Sequence, residues 1–584
     1  VFDIVIRNGL WFDGDGGAPR PATIGIRDGE VAEIATGGGD LETAGCPDVI
    51  DAAGKWVLPG LLDIHTHYDA EVLLNPGLGE SVRHGVTTVV LGCCSMSSVY
   101  ASDEDVADLF SRVEAVPRQH VLEALDTVRT WSGPEEYVEA IGALPLGPNV
   151  AAFVGHSDLR ATVLGLGRAT EPDTRPTRSE VRTMAALLER AVRAGMLGMS
   201  GMDAPIDKLD GDRYRSRALP STYARWSERF RLISVLRRHG GVLQSAPNIT
   251  APASAVLFFL ASGARPLDRR RVPTSLLVAA DTKSAPAAHT LLRAAAASGN
   301  RFFRSNVRFQ HLPVPFVLYS DGIDLPVFEE FGAGTAALHL RDQLARNRLL
   351  ADPQYRLGFR REFLTPRRTP GLWHRDFHDA VIVECPDAAL VGRSFGEVAD
   401  ERGVESLDCF LDILVEHGER NVRWTTTVGN HRPTVLDEMA ADPNLHLGFS
   451  DAGAHLRNMA FYNFGLRFLR RMRDAEIAGR PVLPLGAAVH RLTGELGDWF
   501  GIDAGHLRIG DRADFVVIDP TALDDDLDGY HEQRTEFFGG LSRMVNRNDR
   551  AVTAVGVAGR TVFRDGRFAG DYGRTPSGRF LRRT

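Results

Sequence analysis

Over residues 1–57 apolar and polar positions alternate in short runs, FDIVIRNG, FDGDGG, ATIGIRDGEVAEIA and DVIDAAGKWVLPG, broken by Gly, Asp and Asn turn signals. A period of two with hairpin-type breaks predicts a small antiparallel sheet. The C-terminal stretch repeats the style in GDRADFVVIDP and AVTAVGVAGRTVFRDGRF. Each segment is too small to bury a core alone. Residues 1–57 and 501–584 are therefore expected to build one small β-sandwich, with the rest of the chain inserted into it.

Between residues 58 and 500 the pattern changes to continuous apolar runs separated by helical periodicity. LLDIHTH, TTVVLGCC, NVAAFVGH, MLGMSGM, GGVLQSAP, TSLLVAAD, RFFRSNV and LHLGFSD are candidate buried strands. EVRTMAALLERAVRAG, with Gly195 as its expected exit, and AAHTLLRAAAASG are candidate helices between them. The alternation predicts an α/β fold, a (β/α)8 TIM-like barrel. NVRWTTTVGN, at residues 421–430, competes for the seventh strand. Residues 203–221 are polar and turn-rich, a candidate lid, and an insertion at about 309–419 mixes aromatics, Pro and Arg. Such insertions cover a site or make an oligomer contact, so a homo-oligomer is one expectation.

The chemistry concentrates in VLPGLLDIHTHYDAEVLLNPGLGESVRHGVTTVVLGCC, residues 57–94. In an extended strand His65 and His67 share a face, with Asp69 on the same parity. A second apolar run ends in Gly92, Cys93 and Cys94. Metal-type side chains thus stand at the C-terminal ends of two strands, where parallel barrels carry their chemistry.

Composition narrows the partners. The charge of −9 arises from 67 basic and 76 acidic residues without a long single-sign run, which argues against nucleic acid and anionic membranes. The most apolar window, residues 251–264, is too short to span a bilayer. Cys46, Cys93, Cys94, Cys385 and Cys409 are odd in number and scattered, unlike a disulfide framework. The first residues lack a charged segment followed by an apolar one, so a cytoplasmic chain is expected. The partner expected is a small molecule.

Taken in order, PGLLDIHTHYD, GVTTVVLGCC, GHSDLR, GFSDAGAH and LTGELGDWFGIDAGHLRIGDRADFVVIDP resemble the amidohydrolase superfamily, and within it the D-aminoacylase and N-acyl-D-amino-acid deacylase group. The resemblance implies that His65 and His67 bind a divalent metal, usually zinc, and that Cys94 is a further ligand with Cys93 beside it. It implies that Asp451 touches the metal and moves the proton as general base and then acid. His156 in GHSDLR is a candidate for holding a substrate carbonyl, with Arg160 and His455 in supporting places. The chain departs from the family pattern at the fifth and sixth strands, which normally end in His. GGVLQSAP offers Gln244 there, and LLVAADTKSAP offers Asp281 and Lys283. Asp281 then becomes a candidate ligand, and Lys283, Gln244 and Arg160 candidate substrate contacts. One or two zinc ions, or another divalent metal, are implied. So is hydrolysis of the amide bond of an N-acyl-D-amino acid or similar N-acyl compound, with an acidic group on the substrate. Two alternatives stand beside it: opening or closure of a cyclic amide or imide, and a barrel that has lost hydrolysis and binds or rearranges its ligand.

Overall fold

A computed structural model describes residues 1–584 apart from 114, 206, 211–212, 249–251, 266–267, 341 and 366–370. Parts of the polar segment 203–221 and of the insertion, and the head of the apolar window, thus lie outside the described residues. The barrel strands are Leu61–Asp63, Val86–Leu91, Asn149–Ala152 continued past Phe153 by Val154–Gly155, Gly198–Met202, Val242–Ala246, Pro273–Leu276, Asn306–Gln310 and Leu445–His446. Neighbours pair in parallel. Most of these residues are buried on both faces, which is why the runs read as continuously apolar. The ring closes between the eighth and first strands. There Ile64 N–H donates to Gly448 O at 2.7 Å, His67 N–H to Ala452 O at 2.7 Å, and Asp451 N–H to His65 O at 3.1 Å.

Connecting helices carry local stop and start signals. Arg178–Arg193 begins with a capping box, Thr177 Oγ1 accepting from Glu180 N–H while Glu180 accepts from Thr177 N–H. Gly195 follows its end at φ +97°, a conformation that only glycine adopts cheaply.

A nine-stranded sheet takes strands from both ends of the chain: Phe515–Ile518 pairs antiparallel with both Trp56–Pro59 and Val552–Val557. Ile4, Ile6, Ile24, Ile26, Val57, Phe515 and Val517 give this sheet a core of its own. Trp11 Nε1–H donates to Leu507 O at 2.9 Å and ties the two termini together.

The seventh strand corrects the sequence reading. RFFRS begins inside and just beyond the helix Ala288–Phe302, and the strand itself is NVRFQ. NVRWTTTVGN contributes Arg423–Gly429, the middle strand of an antiparallel sheet between Phe316–Asp321 and Val381–Glu384, so the insertion runs on past 419 to take in this strand. Its Trp424 is fully buried among Phe328, Trp373, Phe395 and Phe410. A core made of rings gives no period that separates it from a barrel strand. Among the described residues no helix is long and apolar enough to cross a membrane.

The C-terminal segment is locked to the barrel by a buried ion pair. Arg543 Nη1 donates to both carboxylate oxygens of Glu71, at 3.1 and 2.9 Å, with Glu80 at 3.8 Å. Arg543→Ala would leave two buried carboxylates short of their counter-charge. The expected loss is about 3–5 kcal/mol in urea unfolding at neutral pH; a loss below 1 kcal/mol would refute the assigned role.

Candidate metal centre

The barrel closure brings His65 and His67, at the end of the first strand, against Asp451, just past the eighth. Cys94 follows the second strand on a turn held from several sides. Asp69 accepts from Gly92 N–H at 3.0 Å, Gln244 Oε1 from Cys94 N–H at 3.2 Å, and Ser200 Oγ from Ser95 N–H at 3.0 Å. Gly92 stands at φ +73°, and a Cβ there would lie 2.1 Å from Phe153 O, so the turn requires glycine. Cys94, Ser95, Asp451 and His455 all have positive φ, at 51°, 76°, 60° and 48°. Each costs about 1–3 kcal/mol and persists because the surrounding bonds impose it.

The ligand atoms of His65, His67 and Cys94 lie within 4.8 Å of one another, and these residues are buried. Cys94 Sγ stands 3.3 Å from His65 Nε2. Asp451 Oδ1 lies 3.5 Å from His65 Nε2 and 3.3 Å from His67 Nε2. Gln310 Nε2 donates to Ser275 Oγ at 3.0 Å, so its oxygen faces His65 Nδ1 at 2.7 Å and accepts the proton there. That leaves the Nε2 lone pair of His65 aimed into the cluster.

Electrostatics follow from burial. Burial pushes His65 down to about 4 despite Asp451 nearby, which keeps the imidazole neutral as a ligand must be. Burial alone would raise Asp451, but the hydrogen bond and charge of His67 bring it to about 2. The Cys94 thiol is pushed far up by burial, with Asp207 and Asp451 adding to it. A cation reverses that last shift, because a coordinated thiol loses its proton. Two imidazoles and a thiol that converge beside an ionised carboxylate fit a zinc-type ion.

Other candidates stand elsewhere. Asp281 does not join the cluster: Arg432 Nε donates to its Oδ2 at 2.8 Å and a second guanidinium nitrogen donates to Oδ1, pairing the carboxylate with that arginine. Lys283 Nζ pairs with Asp379 of the insertion at 2.7 Å. His156 Nε2 and Arg160 Nη1 both bond Glu228, at 2.8 and 2.6 Å, and this buried triad joins the helices His156–Leu164 and Trp226–His239. Gln244 lies at the cluster through Cys94. Cys93 packs inward in the core, its Sγ near Val90 O and Ile64 O.

Sequence reasoning missed Gln310 and Asp63. Asp63 accepts from His65 N–H and Ser450 N–H, both at 3.3 Å, and from Ser450 Oγ–H, clamping the two halves of the seam. Burial raises it to about 7. A carboxylate on the same strand face as the two histidines, in an otherwise apolar run, was its signal; Gln310, a polar tip on the seventh strand, was the other. Asp207, from the lid segment, faces the cluster but lies outside the converging group. Burial raises it to about 6, with Asp451 adding and His67 opposing. A cavity of about 990 Å³ is lined by Arg112, Asp324, Arg420, His455, Arg457 and Asn458 among others, His455 being its link to the cluster's surroundings.

No family model matches the chain. It is 66% identical over 588 residues to the uncharacterized protein Rv2913c of Mycobacterium tuberculosis, covering 100% of this chain and 96% of that protein. It is 33% identical over 202 residues to a D-aminoacylase of Alcaligenes xylosoxydans xylosoxydans, 34% of this chain and 37% of that protein. Among solved structures it superposes on a D-aminoacylase described with a binuclear metal centre at a TM-score of 0.61 and 23% identity, all of both chains being covered. It superposes on the N-acyl-D-glutamate deacylase of Bordetella bronchiseptica, complexed with zinc and a phosphonate inhibitor, at 0.62 and 21%, over 100% of this chain and 99% of that one.

Glu228 gives a pH test. Burial works against its charge, yet His156 and Arg160 lower it from 4.5 to about 2. A depressed carboxylate stabilises the fold above its ordinary value, and the contribution of about 3 kcal/mol fades as pH falls from about 4.5 toward 2. Glu228→Gln, measured by urea unfolding, should lose at least that much at pH 7 and show a flatter stability profile in this window. An unchanged profile would remove the triad from its structural role.

Proposed function

We propose that the chain is a member of the amidohydrolase superfamily, in the group of D-aminoacylases and N-acyl-D-amino-acid deacylases, and that it hydrolyses the amide bond of a small N-acyl-D-amino acid or a similar N-acyl compound. The observation that carries this reading is the convergence of His65, His67 and Cys94 beside Asp451. A zinc ion bound by these residues would supply Lewis acidity at the carbonyl oxygen and make water a nucleophile at neutral pH.

The chain's own groups do the rest. Asp451, ionised across the neutral range, accepts the proton of the attacking water at a carboxylate oxygen and returns it to the leaving nitrogen. Gln310 holds His65 in the tautomer that faces the site. His455, kept neutral by burial at about 4, borders the cavity and feels both Asp451 and His67. In the cavity wall Arg112 and Arg457 are paired with carboxylates, as Lys283 is with Asp379. The setting proposed is the cytoplasm, where Cys94 stays available as a ligand; all five cysteines are free.

Zinc-loaded protein should release amine from members of a panel of N-acyl-D-amino acids and discriminate against the L-forms. Asp451→Asn should keep its zinc and lose about a hundredfold or more in turnover. Loaded protein that cleaves no N-acyl compound, or an Asp451→Asn variant with near-normal turnover, would end this reading.

A further inference from the structure

The fifth strand presents a polar group that the centre as described leaves unused. Gln244 is fully buried, and its Oε1 accepts from Cys94 N–H. A flipped amide would set donor against donor there, so the orientation is fixed by Cys94. The NH₂ end is therefore directed away from that bond, and Nε2 is buried without a hydrogen-bond partner. An amide nitrogen has no lone pair for a cation, and its hydrogens repel one. It seeks an oxygen, and a buried donor without one is costly to keep.

Asp207 faces the cluster but lies outside the converging group, and other oxygens nearby carry hydrogen bonds. Gln310 Oε1 serves His65 Nδ1, Asp63 accepts from His65 and Ser450, and Asp69 accepts from Gly92 N–H. Asp281 is held by Arg432 on both oxygens. Among the described residues, His65, His67 and Cys94 form the one group of three or more metal-type donors that converge.

We propose that this centre holds a single divalent ion on His65, His67 and Cys94, and that Gln244 makes the adjoining position a hydrogen-bond donor site for a substrate oxygen instead of a second ion site. The substrate oxygen, a carbonyl or the carboxylate next to it, rests on the hydrolase reading. The ion count does not.

The test is metal stoichiometry of the full chain, dialysed to equilibrium against excess zinc and counted by elemental analysis. The wild type should hold one equivalent. Gln244→Glu, which replaces the donor by an oxygen ligand of the same size, should take a second equivalent, and Gln244→Leu should stay at one. If the Glu variant does not fold by circular dichroism, Gln244→His is read in the same way. Two equivalents in the wild type would overturn the proposal, as would a folded Glu or His variant that still holds one. Gln244→Leu should also lose about tenfold in kcat/KM with its one zinc retained; unchanged kinetics would remove the donor role. One zinc with no amide cleavage keeps the count and ends the hydrolase reading. Two zincs with cleavage do the reverse, and none ends both.

Discussion

Everything at this centre depends on how the barrel closes between its eighth and first strands. Asp451 N–H donates to His65 O and His67 N–H to Ala452 O, so the main-chain hydrogen bonds that complete the ring also set the histidines against the carboxylate. A one-residue slip of that seam would turn the side chains to the opposite face. Asp63 guards the register from the first strand by holding His65 and Ser450 together. The donor geometry is thus inherited from backbone pairing, which is stiffer than any side-chain contact.

The remaining donor, Cys94, arrives by a different route. It sits on a strained turn, and buried acceptors on three other strands or their tips hold that turn in place: Asp69, Ser200 and Gln244. Cys94, Ser95, Asp451 and His455 all carry left-handed backbone at the barrel mouth. The energy for this comes from the large core below, which over-determines the positions above it.

The insertion makes the surroundings of the site. Its aromatic core is built around Phe328, Phe410 and Trp424, and its charged rim takes Lys283 through Asp379. Arg112, on the barrel side of the cavity, pairs with Asp324 and Glu329 on the insertion side. The lid segment joins the same body, with Ser216 hydrogen-bonded to His339 at 2.6 Å. A cavity with paired charges in its wall suits a polar ligand, and the partners of those charges set its shape.

By itself the sequence determined the strand order of most of the barrel and the placing of His65, His67, Cys94 and Asp451 at strand ends. Each of these is a local property: a period, a spacing, a side-chain type at the end of an apolar run. Only the tertiary structure decided that Asp281 belongs to Arg432, 151 residues away, and Arg160 to Glu228, 68 residues away. It also decided that Gln310 orients His65 and that the Trp424 strand lies outside the barrel. Charge pairing and ring packing across such distances leave no mark in period or composition, because a carboxylate reads the same along the chain whether it meets a metal or a guanidinium.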